Sequence, residues 1–271
     1  MANTANQSTL TTDFNVTPYY DDYDTEKDFY RVLYKPGYAV QARELTQQQT
    51  ILQEQINRFG KHVFKEGSIV IPGAFTLETN DGKTYGGSVP YVKVKDFDAS
   101  NNAIDINDYL GVQVVGAASN ISAQVVDVLD GSQSSSNTKT LYVRYTSASN
   151  SNNQLKVFSA GETLVANINN TNATVVVLDN DPVANTGFGS RFKIEEGVFF
   201  AKNHFISFPT QSVILDRYVS NPSCKVGFYV TESIINASQD SSLLDPALES
   251  SNYSAPGADR LKLTPTLQVL A

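Results

Sequence analysis

An acidic and aromatic stretch near the N-terminus is the first place where chemistry could occur, because clustered carboxylate oxygens can bind Ca²⁺. Its carboxylates are Asp21, Asp22 and Asp24. The stretch lacks the glycine turn and the terminal bidentate glutamate of a calcium-binding loop. We therefore predict no metal site here, and an extended arm whose tyrosines pack on a partner protein. These tyrosines are Tyr19, Tyr20 and Tyr23.

Residues that could perform catalysis are few and badly placed. His62 and His204 are the two histidines of the chain, and neither has a cysteine or a carboxylate at zinc-ligand spacing beside it. Glu195 and Glu196 are neighbours on a predicted strand, so their side chains point to opposite faces and cannot form a glycosidase pair. Ser190 lacks the Gly-x-Ser-x-Gly motif of a nucleophilic serine. We therefore predict no catalytic residue, no cofactor and no enzyme activity.

One long helix is predicted near the N-terminus. Apolar residues between Gly37 and Gly67 recur at alternating three- and four-residue steps, with one polar interruption, which is the a/d pattern of a heptad. The pattern predicts a helix of about two dozen residues, which starts after Pro36-Gly37 and ends near Gly60 or Gly67. We call its a and d positions the seam: Ala42, Leu45, Gln49, Leu52, Ile56, Phe59 and Val63.

The seam has two interpretations, and the sequence leaves both open. It could join copies of the chain in a short parallel coiled coil, in which Gln49 at an a position helps to fix register and strand number. It could instead be the apolar face of a helix that lies on the chain's own sheet, because barely three heptads are present.

The remainder has the short apolar runs and turn residues of strands, so the chain is predicted to be mainly β with one long α-helix. Phe29–Tyr34 is a predicted strand before the helix. Residues 101–186 contain an internal repeat at an offset of 50, in which Val114-Val115 matches Leu164-Val165 and Asn120 matches Asn170. Each copy is typical of a β-hairpin, and two such hairpins with strands between them predict a small β-barrel or sandwich.

These patterns predict three parts. Residues 1–36 form an extended N-terminal arm, and residues 37–100 with 187–271 form a discontinuous helix-plus-β core of sandwich or barrel type. Residues 101–186 form an inserted β module. Tyr109, Tyr142 and Tyr145 of this module could offer stacking faces to a glycan, which is an alternative function, or they could be ordinary strand residues.

Charge and composition disfavour several classes of partner. Twenty basic against 28 acidic side chains give a net charge of −8, which argues against nucleic acid and against an anionic membrane surface. No apolar run approaches the ~20 residues that span a bilayer. One cysteine, Cys224, excludes an internal disulfide framework and fits assembly in a reducing cytoplasm. We predict that it is a small buried residue rather than a nucleophile.

Five blocks of sequence resemble the N-terminal region of a family of large virion structural proteins of tailed bacteriophages, notably cyanophages and other marine contractile-tailed phages. The blocks are DFNVTPYYDDY (13–23), PGYAVQARELT (36–46), EGVFF (196–200), SLLDPA (242–247) and APGADRL (255–261). The resemblance covers 13–97 and 188–263, whereas 101–186 is similar to a variable insertion. Family members are catalogued as a phage domain of unknown function, or as baseplate or tail-fibre components.

The resemblance implies a structural protein of the virion tail or baseplate, made in the host cytoplasm. Its expected partners are other phage tail and baseplate proteins and further copies of itself, with a trimer favoured. It also implies that the native chain continues past Ala271. No catalytic residue is implied.

Overall fold

The computed structural model describes residues 10–78, 88–146, 157–179, 184–248 and 250–270. Within these ranges the chain forms one α-helix, Ala42–Val63 (α1), and fourteen strands. The strands are β1 (Ser68–Ile71), β2 (Phe75–Glu78), β3 (Val89–Val94), β4 (Gln113–Gly116), β5 (Ser122–Leu129), β6 (Lys139–Tyr145), β7 (Thr163–Ile168), β8 (Thr171–Val176), β9 (Thr186–Ile194), β10 (Gly197–Ala201), β11 (His204–Phe208), β12 (Gln211–Asp216), β13 (Lys225–Ile235) and β14 (Arg260–Leu270). The prediction of a mainly β chain with one long α-helix near the N-terminus is confirmed.

α1 begins and ends close to where the heptad pattern places it. At its start the Glu44 carboxylate accepts a hydrogen bond from the Gln41 N–H at 2.9 Å, half of a capping box. Its last turn closes through the Phe64 N–H, which donates to the Gly60 carbonyl at 2.7 Å. No helix among the described residues is long and apolar enough to cross a membrane.

The described residues belong to two compact units, each assembled from separate stretches of chain. The first unit takes residues from Met1–Ala74, Glu195–Gln211 and Phe228–Gln268. The second takes residues from Phe75–Ile194, Ser212–Gly227 and Val269–Ala271. The predicted boundaries at 101 and 186 therefore fall inside the second unit. The reason is strand pairing, because β3 pairs with β6 of the predicted insertion and with β9.

In the first unit, α1 packs on a three-stranded antiparallel sheet of order β1-β10-β11. The helix continues for three residues past Gly60, one of the two glycines near which the sequence predicted its end. Gly60 instead brings the helix close to this sheet. A Cβ added at Gly60 would lie 2.5 Å from Cε2 of Phe200. On the opposite face of the sheet, the rings of Phe199 and Phe208 pack against Phe228 of β13, with centroids 5.2 and 4.7 Å apart. The centre of the sheet, at β10, therefore has packing partners on both faces.

The second unit is a nine-stranded sheet with the path β12-β9-β3-β6-β5-β4-β7-β8 and β2 on β9. Its buried core includes Val92, Val114, Leu141 and Leu164. The two repeated hairpins are β4–β5 and β7–β8, and they pair through β4 and β7. In that pairing Val115 lies opposite Val165, its equivalent in the repeat. The repeat is therefore a local two-fold arrangement of hairpins.

The predicted small barrel is not closed among the described strands. The end of β3 and the residue that follows β8 meet at one isolated bridge, Val94 to Val177. Hydrogen bonds from the Lys95 N–H to the Val176 carbonyl and from the Leu178 N–H to the Lys93 carbonyl, both 2.9 Å, flank the bridge. A longer pairing is prevented because β9 already pairs with β3 from Val89 to Val92.

Candidate functional site

α1 contacts its own unit through its polar side. The Thr50 hydroxyl donates to the Asp21 carboxylate, and the Gln53 amide donates to the Asn203 carbonyl at 3.1 Å. Ile51 is the large apolar side chain buried with them, at 4% exposed. Hydrogen bonds rather than an apolar face therefore hold much of the helix in place.

The seam lies on the other side of α1 and faces outward. Each of its five large side chains is between 46% and 66% exposed. They are Leu45, Leu52, Ile56, Phe59 and Val63. Successive residues of an α-helix advance by about 100°, which places these positions roughly opposite Thr50 and Asn57. The structure excludes the interpretation in which the seam is buried against the chain's own sheet. Ala42 and Gln49 are also exposed.

A second exposed apolar stretch, the flanking segment (residues 28–40), runs beside α1. Residues 29–34, all of them described, do not form the predicted strand. Tyr34 Oη hydrogen-bonds to Gln48 Oε1 at 3.1 Å, and hydrogen bonds to Glu54 and Tyr30 raise the pKa of Arg58. Since Tyr30 lies near Arg58 and Tyr34 near Gln48, the segment is antiparallel to the helix. Its contacts with α1 are made by side chains rather than through a strand ladder.

The N-terminal arm folds onto its own chain more than the sequence indicated. Tyr19 Oη donates to Asp259 at 2.6 Å, and Tyr23 is buried, whereas Tyr20 is exposed. The prediction that all three tyrosines face a partner is therefore corrected for Tyr19 and Tyr23. The reason is that the arm meets α1 and residue 259, which are distant in sequence. The exposed aromatic side chains lie in the flanking segment instead.

The carboxylates of the arm bind α1. Asp22 accepts hydrogen bonds from Gln47 and from Arg43, the latter at 3.1 Å. Among the described residues, no group of three or more His, Cys, Asp or Glu side chains could hold a metal ion. The acidic stretch is a connector between the arm and the polar side of the helix.

A buried carboxylate fixes the beginning of the arm. Glu232 of β13 accepts from the backbone N–H groups of Thr11 and Thr12, both at 2.9 Å, and from Lys202 Nζ at 2.7 Å. Burial raises the pKa of Glu232, but hydrogen bonds from Lys202, Thr12 and Thr11 outweigh it and hold the pKa at about 2. Sequence reasoning missed this site because its partners lie some 220 residues apart.

A buried cation in the second unit also escaped the sequence analysis. Lys93 is 2% exposed, and its Nζ lies 4.1 Å from the ring centroid of Tyr218. Burial raises the pKa of Tyr218, whereas hydrogen bonds with Thr138 and Thr140 and the charge of Lys93 lower it, so that the net change is downward. The signal in the sequence was a lysine inside the apolar strand β3. Because Lys93 is out of reach of a substrate, we assign the cluster a structural role in cation–π packing.

The other residues that were considered for catalysis include His204 and Glu195, and both make hydrogen bonds to nearby residues. His204 Nδ1 contacts the Lys202 carbonyl at 2.7 Å, and the Thr210 hydroxyl donates to Glu195 at 2.7 Å. The prediction that Cys224 is buried is wrong, since the thiol is exposed. The cysteine lies in the loop before β13, where no sheet covers it.

The tyrosines proposed for glycan stacking do not form an open face. Tyr109 and Tyr142 are buried, and their hydroxyls donate to the carbonyls of Thr174 and Arg217, both at 2.9 Å. The Tyr145 ring packs on Phe158 with centroids 5.2 Å apart. The sequence could not distinguish these core residues from surface residues, because aromatic side chains serve in both roles.

A family model described as a domain of unknown function (DUF4815) matches residues 17–123. The matched stretch includes α1, the flanking segment and β1 to β4. No curated protein matches the chain, and no solved structure matches it.

Proposed function

We propose that this chain is a structural protein of a tailed-bacteriophage virion, the N-terminal anchoring region of a tail-fibre or baseplate protein that assembles into the tail. Two lines of support come together in this proposal. One is the resemblance of the five sequence blocks to such proteins. The other, which carries the proposal, is a helix with its polar side turned inward and its apolar seam turned outward.

In the isolated chain this orientation leaves the apolar side chains of the seam exposed to water, so the free energy of burying them is not gained. Full burial of a Val, Leu, Ile or Phe side chain contributes about 1.5–3 kcal/mol relative to exposure. About half of each of five such side chains amounts to on the order of 500 Å² of apolar surface, comparable to the largest patch of a typical monomer. A patch of this size on one helix is typical of a protein interaction site. In a protein that assembles into a larger structure, such a patch would be buried against a partner.

The alternative, a module that binds a host-surface glycan, has weaker support. Its stacking residues were Tyr109, Tyr142 and Tyr145, and none of them offers a free ring face at the surface. We therefore retain assembly as the proposed function.

The direct test is immunogold electron microscopy of intact phage particles with an antibody against residues 101–186, and the same antibody pre-absorbed with the purified chain as control. We expect gold at the tail tip. Gold at the head or neck would overturn the tail assignment. Particles without label, whose denatured proteins also lack the chain by mass spectrometry, would overturn the virion assignment.

A further inference from the structure

We propose that the partner of the seam is the seam of a second copy of this chain, joined to it in a parallel and in-register coil. This inference deepens the proposed function and rests on it. It concerns which surface joins the copies and in what register. The arguments come from the charge pattern of α1, from Gln49 and from the area of the exposed surface.

The charged residues of α1 avoid the positions that a second helix would contact. With Ala42 at a, all of them occupy positions b, c and f: Arg43, Glu44, Glu54, Arg58 and Lys61. Positions e and g, which flank the seam, carry no carboxylate, lysine or arginine: Thr46, Gln48, Gln53, Gln55, Gly60 and His62. Two identical helices therefore meet without like-charge repulsion at the e and g positions, where coiled coils select their partners.

Gln49 determines the register. In a parallel in-register coil its amide meets the same amide of the other copy, and each can both donate and accept a hydrogen bond. In an antiparallel coil the a positions of one helix meet the d positions of the other, so Gln49 lies opposite an apolar d residue, either Leu52 or Phe59. An amide buried there without a partner costs about 1–3 kcal/mol. The polar a position thus favours the parallel pairing.

The flanking segment supplies the rest of the contact area. The seam alone provides on the order of 500 Å², below the ~800 Å² per partner of a standard interface. Leu33 and Tyr34 of the flanking segment are 74% and 45% exposed, and Tyr34 bonds to Gln48, a g position beside the seam. Together the two stretches approach the area that a stable pair of copies needs.

Cysteine cross-linking of the full chain tests both the surface and the register. In a Cys224→Ser background, which removes the exposed native thiol, Ile56→Cys places a thiol on the seam. Lys61→Cys is the matched control, since residue 61 is exposed but lies off the seam. Under mild oxidation at micromolar concentration, we expect the Ile56→Cys chains to form covalent dimers roughly a hundredfold faster, because paired thiols have an effective concentration of ~mM. Equal rates for the two variants would overturn the proposal.

A mixture of two variants distinguishes the orientations. Gln49→Cys chains carrying a size tag are mixed with untagged Phe59→Cys chains, and the products are separated without reductant. The parallel register gives tagged and untagged homodimers. An excess of the mixed 49–59 dimer, or the absence of both homodimers, would overturn the inference.

The failure of this inference is distinguishable from failure of the proposed function. A chain that stays at the monomer mass of 29.6 kDa in light scattering, with gold still at the tail, would overturn self-pairing and leave the tail assignment standing. A chain that cross-links through residue 56 but is absent from particles would support self-pairing and overturn the virion assignment. Dimer and trimer masses both support pairing through the seam.

Discussion

Two adjacent residues of α1 give the sharpest test of the orientation of the helix. Ile51 is 4% exposed and packs within the first unit, whereas Leu52 is 58% exposed and lies on the seam. We expect Ile51→Ala to lower the free energy of unfolding by about 2–5 kcal/mol, the usual cost of truncating a buried aliphatic side chain. Leu52→Ala removes few contacts within the chain and should change the stability of the monomer by less than about 0.5 kcal/mol.

For self-association we expect the opposite ranking, with Leu52→Ala having a larger effect than Ile51→Ala. Removal of the outer methyl groups of Leu52 deletes about 2 kcal/mol of burial per chain from the paired state. That corresponds to roughly thirtyfold weaker association per chain. Leu52→Asp and Ile56→Asp, which place a carboxylate in the seam, should abolish association and leave the chain folded.

The assay has two parts because association adds to apparent stability at high concentration. Urea unfolding at a concentration where light scattering shows monomer gives the stability of the chain alone. Sedimentation equilibrium over a concentration series gives the association constant. If Leu52→Ala destabilises the dilute monomer as much as Ile51→Ala does, the helix does not face outward as described. If Leu52→Asp and Ile56→Asp keep the full oligomeric mass, the coil is refuted and the anchoring role still stands.

Three further predictions concern the supports of the fold. Gly60→Ala should cost about 1–3 kcal/mol by overpacking against Phe200, as measured by urea unfolding, whereas Gly37→Ala, next to open space at a positive φ, tests backbone strain alone. Glu232 has its pKa lowered from 4.5 to about 2, so its stabilisation is complete above pH 4.5 and is lost as the pH falls towards 2. The difference corresponds to about 3 kcal/mol, and a Glu232→Gln chain should lack this part of the pH dependence in unfolding at pH 2–6. Lys93→Met keeps the aliphatic length but removes the cation above Tyr218, and we expect the pKa of Tyr218 to rise in a spectrophotometric titration; an unchanged titration would contradict the contact.

The sequence predicted the elements well where the signal is local. The heptad pattern located α1 within a few residues, and the repeat located the hairpins β4–β5 and β7–β8. Periodicity shows that a helix has an apolar side, but it does not show in which direction that side points. The direction depends on the hydrogen bonds that Thr50 donates to Asp21 and that Gln53 donates to the Asn203 carbonyl. These partners lie in other parts of the chain.

The errors have the same origin. Phe29–Tyr34 has the composition of a strand, yet no strand in the described part of the chain pairs with it, and Tyr34 binds α1 instead. Cys224 was predicted to be buried, and Tyr19 and Tyr23 were predicted to face a partner; the tertiary contacts reversed these assignments. The barrel failed to close because β9 occupies the edge of β3 that β8 would need.

The inward polar side of α1 also has a consequence for the order of events in time. Thr50 and Gln53, which hydrogen-bond the helix to its own unit, are not among the seam residues that would join two copies. Folding is therefore a first-order process that a single newly made chain can complete, and pairing through the seam would follow as a second-order process. Halving the amount of chain would leave the half-time of folding unchanged and double the half-time of pairing.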